Sequence, residues 1–150
     1  MFESSKILSL NSHERVLKLS VAEKHSADAI THLKKTFDQV EITFPQILFC
    51  QSSGTETIFY LTGPTEILKA IVAEKNNFKS IAIHDDSLCS VSATCTGVTG
   101  YEITEKVLQS LKQYEIHPMD MHFSALSLSL ILKDSQRKNA LTKLHELIES

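Results

Sequence analysis

The chain is short of the residues that interrupt regular structure, with only four Gly and three Pro in 150 residues. Long loops and low-complexity linkers are thereby excluded, and helices and strands must fill most of the length. Positive charge is also scarce: 15 Lys and Arg against 18 Asp and Glu leave a formal net charge of -3. The basic residues are scattered rather than gathered in a stripe, which argues against nucleic acid as a partner. No apolar run approaches the ~18 residues of a membrane span. The opening Met1-Phe2-Glu3-Ser4-Ser5-Lys6 lacks the basic and apolar regions of a secretory leader, so a cytoplasmic location is expected, with no membrane partner. The three cysteines, Cys50, Cys89 and Cys95, are odd in number and form no CxxC pair, which suits reduced, buried thiols better than a disulfide frame or a zinc site.

Motifs for chemistry are equally sparse. No GxxxxGK[ST] or GxGxxG occurs, so no phosphate cradle and no cofactor are expected. Seven histidines, His13, His25, His32, His84, His117, His122 and His145, show neither HxH nor HExxH spacing, and surface or packing roles are expected rather than metal ligation. His25 and His32 stand seven apart on or beside one helix, without a nearby carboxylate or thiol to complete a site. His84-Asp85-Asp86 reads as a solvated turn at a strand end.

What is present is a globular composition, 42% hydrophobic and 22% charged, in a chain long enough to bury roughly 70% of its unfolded surface. Leu17, Leu19 and Val21 alternate as a half-covered strand does. From Ser26 to Val40 the spacing of Ala29/Ile30, Leu33 and Phe37 is that of an amphipathic helix, with Ser26 as its N-cap. Ile42 to Cys50 reads as a strand that Pro45 confines to an edge or a bulge. Gln51-Ser52-Ser53-Gly54 then turns into a return strand, Thr57 to Thr62. A helix over Thr65–Asn76 and a strand over Phe78–His84 complete one strand, helix, strand, strand, helix, strand series.

The order begins again at Leu88–Cys95, followed by a helix over Tyr101–Tyr114 and strands at Met119–Phe123 and Leu126–Leu132. It ends on a helix over Ser135–Glu149, so the second half repeats the first at an offset of about 70 residues. One strand is missing from the second half, and Ile7-Leu8-Ser9-Leu10 is left over before the first. The expectation is an α+β protein of two ferredoxin-like βαββαβ units with antiparallel sheets and helices on one face, interlocked through the N-terminal strand. The first unit spans 11–84; the second spans 85–150 and is completed by strand 6–10.

Asp85-Asp86, Ser90-Val91-Ser92, the Gly97 loop, Val107-Leu108-Gln109-Ser110-Leu111, Phe123-Ser124, Leu128-Ser129-Leu130 and Leu144-His145-Glu146 resemble the paired ACT domains at the C-terminus of bacterial aspartokinases. Ile7–Leu10, at its distance from Lys18–Val21, is similar to that family's entry into the region. The resemblance implies a regulatory module that senses lysine or threonine for feedback control of aspartate-family amino-acid biosynthesis. It further implies a kinase domain or catalytic subunit as partner, a homodimer built through the ACT sheets, and no catalytic site in this chain. It places an amino-acid effector in the first strand-to-helix loop, at Lys24, His25, Ser26, Ala27 and Asp28, facing Gln46 across a domain interface. In that arrangement Asp28 accepts from an α-amino group, the Ser26 and Ala27 amides take the carboxylate, and Gln46 orients the ligand.

Where the family carries Asp, Pro and Gly in this loop, the present loop has neither Pro nor Gly. The family's Gln-Asn pair resembles Gln46-Ile47, and its second-domain loop is replaced around Thr99-Gly100-Tyr101-Glu102. These departures keep an alternative open, a degenerate ACT pair that only dimerises. A more distant alternative is a cysteine-dependent enzyme using Cys95 at a strand-to-helix turn, where a helix N-terminus lowers a thiol pKa.

Overall fold

The computed structural model describes residues 6–96 and 101–149. In chain order these form β1 (Ile7–Val21), α1 (Ser26–Gln39), β2 (Gln46–Ser52), β3 (Thr57–Thr62), α2 (Thr65–Ala73), β4 (Ile81–Cys95), α3 (Tyr101–Lys112), β5 (Asp120–Phe123), β6 (Ser127–Lys133) and α4 (Arg137–Glu149). Short 3-10 turns at Lys75–Asn77 and Asp134–Gln136 precede β4 and α4. The chain divides into two compact units, residues 15–87 in one, and residues 88–150 together with 1–14 in the other.

In the 15–87 unit the strand order is β2, β3, β1, β4. β1 runs antiparallel to β3, from Leu17 opposite Leu61 to Val21 opposite Thr57. β3 is antiparallel to β2, with Thr62 opposite Gln46 and Thr57 opposite Ser52. The Ala22 amide donates to the Ser80 carbonyl at 2.8 Å, which ties the end of β1 to the approach to β4. In the other unit the order is β1, β4, β6, β5. β4 and β6 are antiparallel from Leu88 opposite Lys133 to Thr94 opposite Ser127. The Thr96 amide donates to the Lys6 carbonyl at 2.8 Å. β1 and β4 are therefore antiparallel neighbours, each 15 residues long, and each serves both units. This is the interlocked pair of βαββαβ units that the displaced N-terminal run implied.

Each unit has its own core, built from one stripe per helix. α1 buries Ala29, Leu33 and Phe37 at four-residue spacing, and α2 buries Leu68 and Ile71, against Leu17, Leu19, Val21, Phe59 and Leu61 of the sheet. The Phe37 ring lies 5.5 Å from Phe44 and 5.9 Å from Phe78, both tilted. α3 buries Ile103, Val107 and Leu111; these and Ala140 and Leu144 of α4 cover Val91, Ala93, Cys95, Leu128, Leu130 and Leu132.

Four local expectations need correction. Ile7–Leu10 and Leu17–Val21 are one strand rather than two, because the polar residues between them lie beside β4. His84-Asp85-Asp86 is not a turn: the backbone continues as strand through β4, and Ser87, with φ 54°, is the single left-handed residue in its path. β2 runs on to Ser52, so the hairpin turn is Ser53–Glu56, closed by the Ser53 amide on the Glu56 carbonyl at 2.8 Å, with Gly54 at φ 84°. Pro45 lies just before β2 rather than in it; β2 is nevertheless an edge strand, with a register shift between Ile47 and Phe49.

Candidate functional site

The loop expected to carry a ligand, Ala22–His25, leaves the C-terminal end of β1 within the 15–87 unit. Its shape is set from below by Thr57, fully buried opposite Val21, whose hydroxyl donates to the Glu23 carbonyl at 2.7 Å. The Ala22 amide is held by Ser80, and the Glu23 amide closes a tight turn onto the Val21 carbonyl at 2.7 Å. Lys24, His25, Ala27 and Asp28 are exposed above these anchors, and Ser26 is half-buried.

The helix start differs from the expectation. His25, with φ -100° and ψ 128°, is the N-cap, and no side chain caps the first turn. Ser26 is instead the first helical residue, and its hydroxyl shares a 3.3 Å hydrogen bond with that of Ser52 at the end of β2. The capping role fails because a strand residue 26 positions away takes the hydroxyl that local spacing assigns to the backbone. Asp28 lies in the first turn, where a carboxylate is favoured by the helix dipole. The first-turn amides of α1, flanked by Lys24 and His25, are chemically suited to a carboxylate.

Lys24 to Asp28 are thus together, while Gln46 is not with them inside one chain. Gln46 is exposed at the first position of β2 opposite Thr62, whereas the loop adjoins Ser52 at the last. Six steps of strand separate the two, about 20 Å at the usual rise. A site containing both requires Gln46 from a second copy.

The roles of Thr57 and Ser52 at the loop have no local signal in the sequence. A threonine in a strand carries no mark distinguishing a loop anchor from an ordinary β-residue, and Ser52 stands in the turn-like run Gln51-Ser52-Ser53-Gly54. Farther from the loop, His32 Nε2 lies 3.0 Å from the Lys79 carbonyl and His84 Nε2 lies 3.2 Å from the Ser20 hydroxyl; no group of three metal-ligating side chains occurs among the described residues. Cys95 is buried in the core beneath α3, with Sγ 3.8 Å from the Ala93 carbonyl, a packing position. The strand-to-helix turn that motivated its catalytic reading, and the Thr99-Gly100 part of the second-domain loop, lie outside the described residues. Cys89 is likewise buried, and desolvation first, then the Asp134 carboxylate, pushes its thiol up to about 11. Among the described residues no helix is long and apolar enough to cross a membrane.

Two βαββαβ units that exchange strands, with helices on one face of each sheet, define an ACT-like paired fold. No protein-family model matches the chain, and no curated protein does. Among solved structures it is similar to the aspartokinase alpha and beta subunits, with a TM-score of 0.66 at 16% identity over 96% of this chain and 99% of that one. The regulatory subunit of aspartate kinase from Thermus thermophilus gives 0.64 at 12% identity over 94% and 97%. E. coli aspartokinase III in complex with lysine and aspartate gives 0.68 at 13% identity over all of this chain but 35% of that one. At these identities what is shared is the fold.

Proposed function

We propose that this chain is an ACT-type regulatory module of an aspartokinase, sensing lysine or threonine and acting on a kinase domain or catalytic subunit. The observation that carries this reading is the end-to-end match to a separate regulatory subunit, 97% of which is covered. The effector sits on the exposed loop Lys24–Asp28: the Ser26 and Ala27 amides receive its carboxylate and Asp28 accepts from its α-amino group. Gln46 comes from the neighbouring copy of a homodimer. Phosphotransfer belongs to the partner, and the feedback signal is the change in that partner's activity when the amino acid binds. The location that suits this role is the cytoplasm.

A thermal-shift series with lysine and threonine tests it. An effector at 100 times its dissociation constant adds about 2.7 kcal/mol, which for a chain of this length raises Tm by about 5 to 11 °C. Asp28→Ala and Gln46→Ala abolish that rise while leaving the ligand-free Tm within about 4 °C. A wild-type midpoint unmoved by either amino acid defeats the sensor reading. A second reading, a paired fold that only dimerises, is favoured by the glycine-free loop and then takes its place.

A further inference from the structure

In the unit containing residues 88–150, the face of the sheet away from the helices carries polar side chains that effector binding does not use. Met121 is opposite Leu130 and Phe123 opposite Leu128, and both leucines lie in the core with Val91 and Ala93, beneath α3 and α4. Successive strand residues point to opposite faces, so Asp120 and His122 of β5, Ser129 of β6 and Ser92 of β4 all point away from the helices. The Ser92 and Ser129 hydroxyls bear this out, with a 2.9 Å hydrogen bond between them. His122 is directly opposite Ser129, where Cβ atoms stand about 4.5–5.5 Å apart, a gap that an imidazole spans. Asp120 is the next residue of β5 on that face, about 7 Å from His122 along the strand. His122 is exposed and the other three are half-buried, so a small solute can reach them.

Carboxylate, imidazole and hydroxyl in this order are the groups of a nucleophilic serine, which is recognised by roles rather than by sequence position. We propose that Ser129 is a reactive serine that takes an acyl group from small activated esters, with His122 as general base, Asp120 positioning the imidazole and Ser92 donating to the oxyanion. This activity is independent of any amino-acid effector.

The roles follow from the ladder. Ser129 rather than Ser92 is the nucleophile because it is the hydroxyl directly opposite the imidazole. Either hydroxyl can donate in the bond between them, and when Ser92 donates, the Ser129 proton is free to turn to His122. Ser129 Oγ then bonds to the ester carbonyl carbon, its proton passes to the imidazole, and the Ser92 hydroxyl stabilises the oxyanion. The bond from that carbon to the leaving oxygen breaks, the leaving group takes the proton from the imidazolium, and acyl-Ser129 remains. With a side-chain hydroxyl serving the oxyanion, the leaving group must be good, so the class is aryl esters and acyl phosphates rather than amides.

Incubation of the full chain with p-nitrophenyl acetate tests the proposal. Peptide mapping should place an acetyl group on Ser129, and His122→Ala should slow its arrival about a hundredfold. Asp120→Asn should slow it about tenfold or more, and Asp120→Glu should restore most of the loss, which a merely structural role would not give. Far-ultraviolet dichroism of each variant should match wild type. Acetylation of wild-type lysines without Ser129 overturns the proposal, as does Ser129 acetylated equally fast in folded His122→Ala. So does p-nitrophenolate release by folded Ser129→Ala at the wild-type rate, which would make His122 itself the nucleophile.

Discussion

Replacing Thr57 by Val tests whether one buried hydroxyl holds the candidate loop in shape. The side chain is fully buried, and its hydroxyl reaches the Glu23 carbonyl at 2.7 Å. Valine keeps the branched shape and its β-propensity, so the main loss is that donor. A net hydrogen bond contributes about 0.5–1.5 kcal/mol, and a stranded buried acceptor costs about 1–3 kcal/mol. Glu23 is half-buried, so water can partly replace the lost donor, and about 1–2 kcal/mol is expected. With a urea m-value of about 2 kcal/mol/M, the midpoint falls by about 0.5–1 M with m unchanged.

Thr62→Val is the matched comparison. Thr62 is also buried on β3, and its hydroxyl donates to the Arg15 carbonyl at 2.8 Å, but at the end of the strand away from the loop. Both variants should lose similar stability, whereas only Thr57→Val should weaken effector binding in calorimetry. A Thr57→Val midpoint within about 0.2 M of wild type, or equal loss of binding in the two variants, refutes the assignment of Thr57 as the loop's anchor.

Phe37→Ala should cost about 3–5 kcal/mol, since the ring is fully buried against Phe44 and Phe78; urea unfolding measures it. Cys89 should resist iodoacetamide at pH 8 until the chain unfolds, because burial keeps it as a thiol. Its folded pKa of about 11 lies above the ordinary thiol value of 9.0, so its contribution to stability is intact below pH 9 and is lost as pH rises toward 11. Cys89→Ala should therefore flatten the alkaline limb of the stability curve relative to wild type. Asp28→Ala removes a first-turn acid from α1 and should cost about 0.3–1 kcal/mol at low salt, a loss that shrinks in 1 M NaCl.

How much of this was legible depends on where the determining contact lies. The α1 stripe of Ala29, Leu33 and Phe37 was readable because helical spacing is a local property, and the α3 stripe was readable for the same reason. The continuity of β1 was not: Asn11 to Arg15 carry no strand pattern and are extended because β4 runs beside them. Asp85-Asp86-Ser87 has turn composition, yet the same long pairing carries the chain through it, at the expense of a left-handed Ser87. The site divides along the same line. Contiguity kept Lys24 to Asp28 together, whereas the separation of Gln46 from them follows from the β2–β3 register, and the fate of the Ser26 hydroxyl from Ser52. Neither is encoded by residues adjacent in sequence.

The exchange of β1 between the two units also fixes an order of events during synthesis. A chain emerging N-terminus first completes residues 15–87 while the partners of residues 7–14, the second half of β4 and then α3 and α4, are still unmade. Ile7 and Leu10, which pack on the later core, must wait as an unpaired apolar strand until residue 95 and beyond have left the ribosome. Residues 7–10 are thus made before the whole 15–87 unit yet buried after it. The interval in which chaperone binding or mispairing between nascent chains matters most therefore opens once Leu10 is made and closes only when α4 docks.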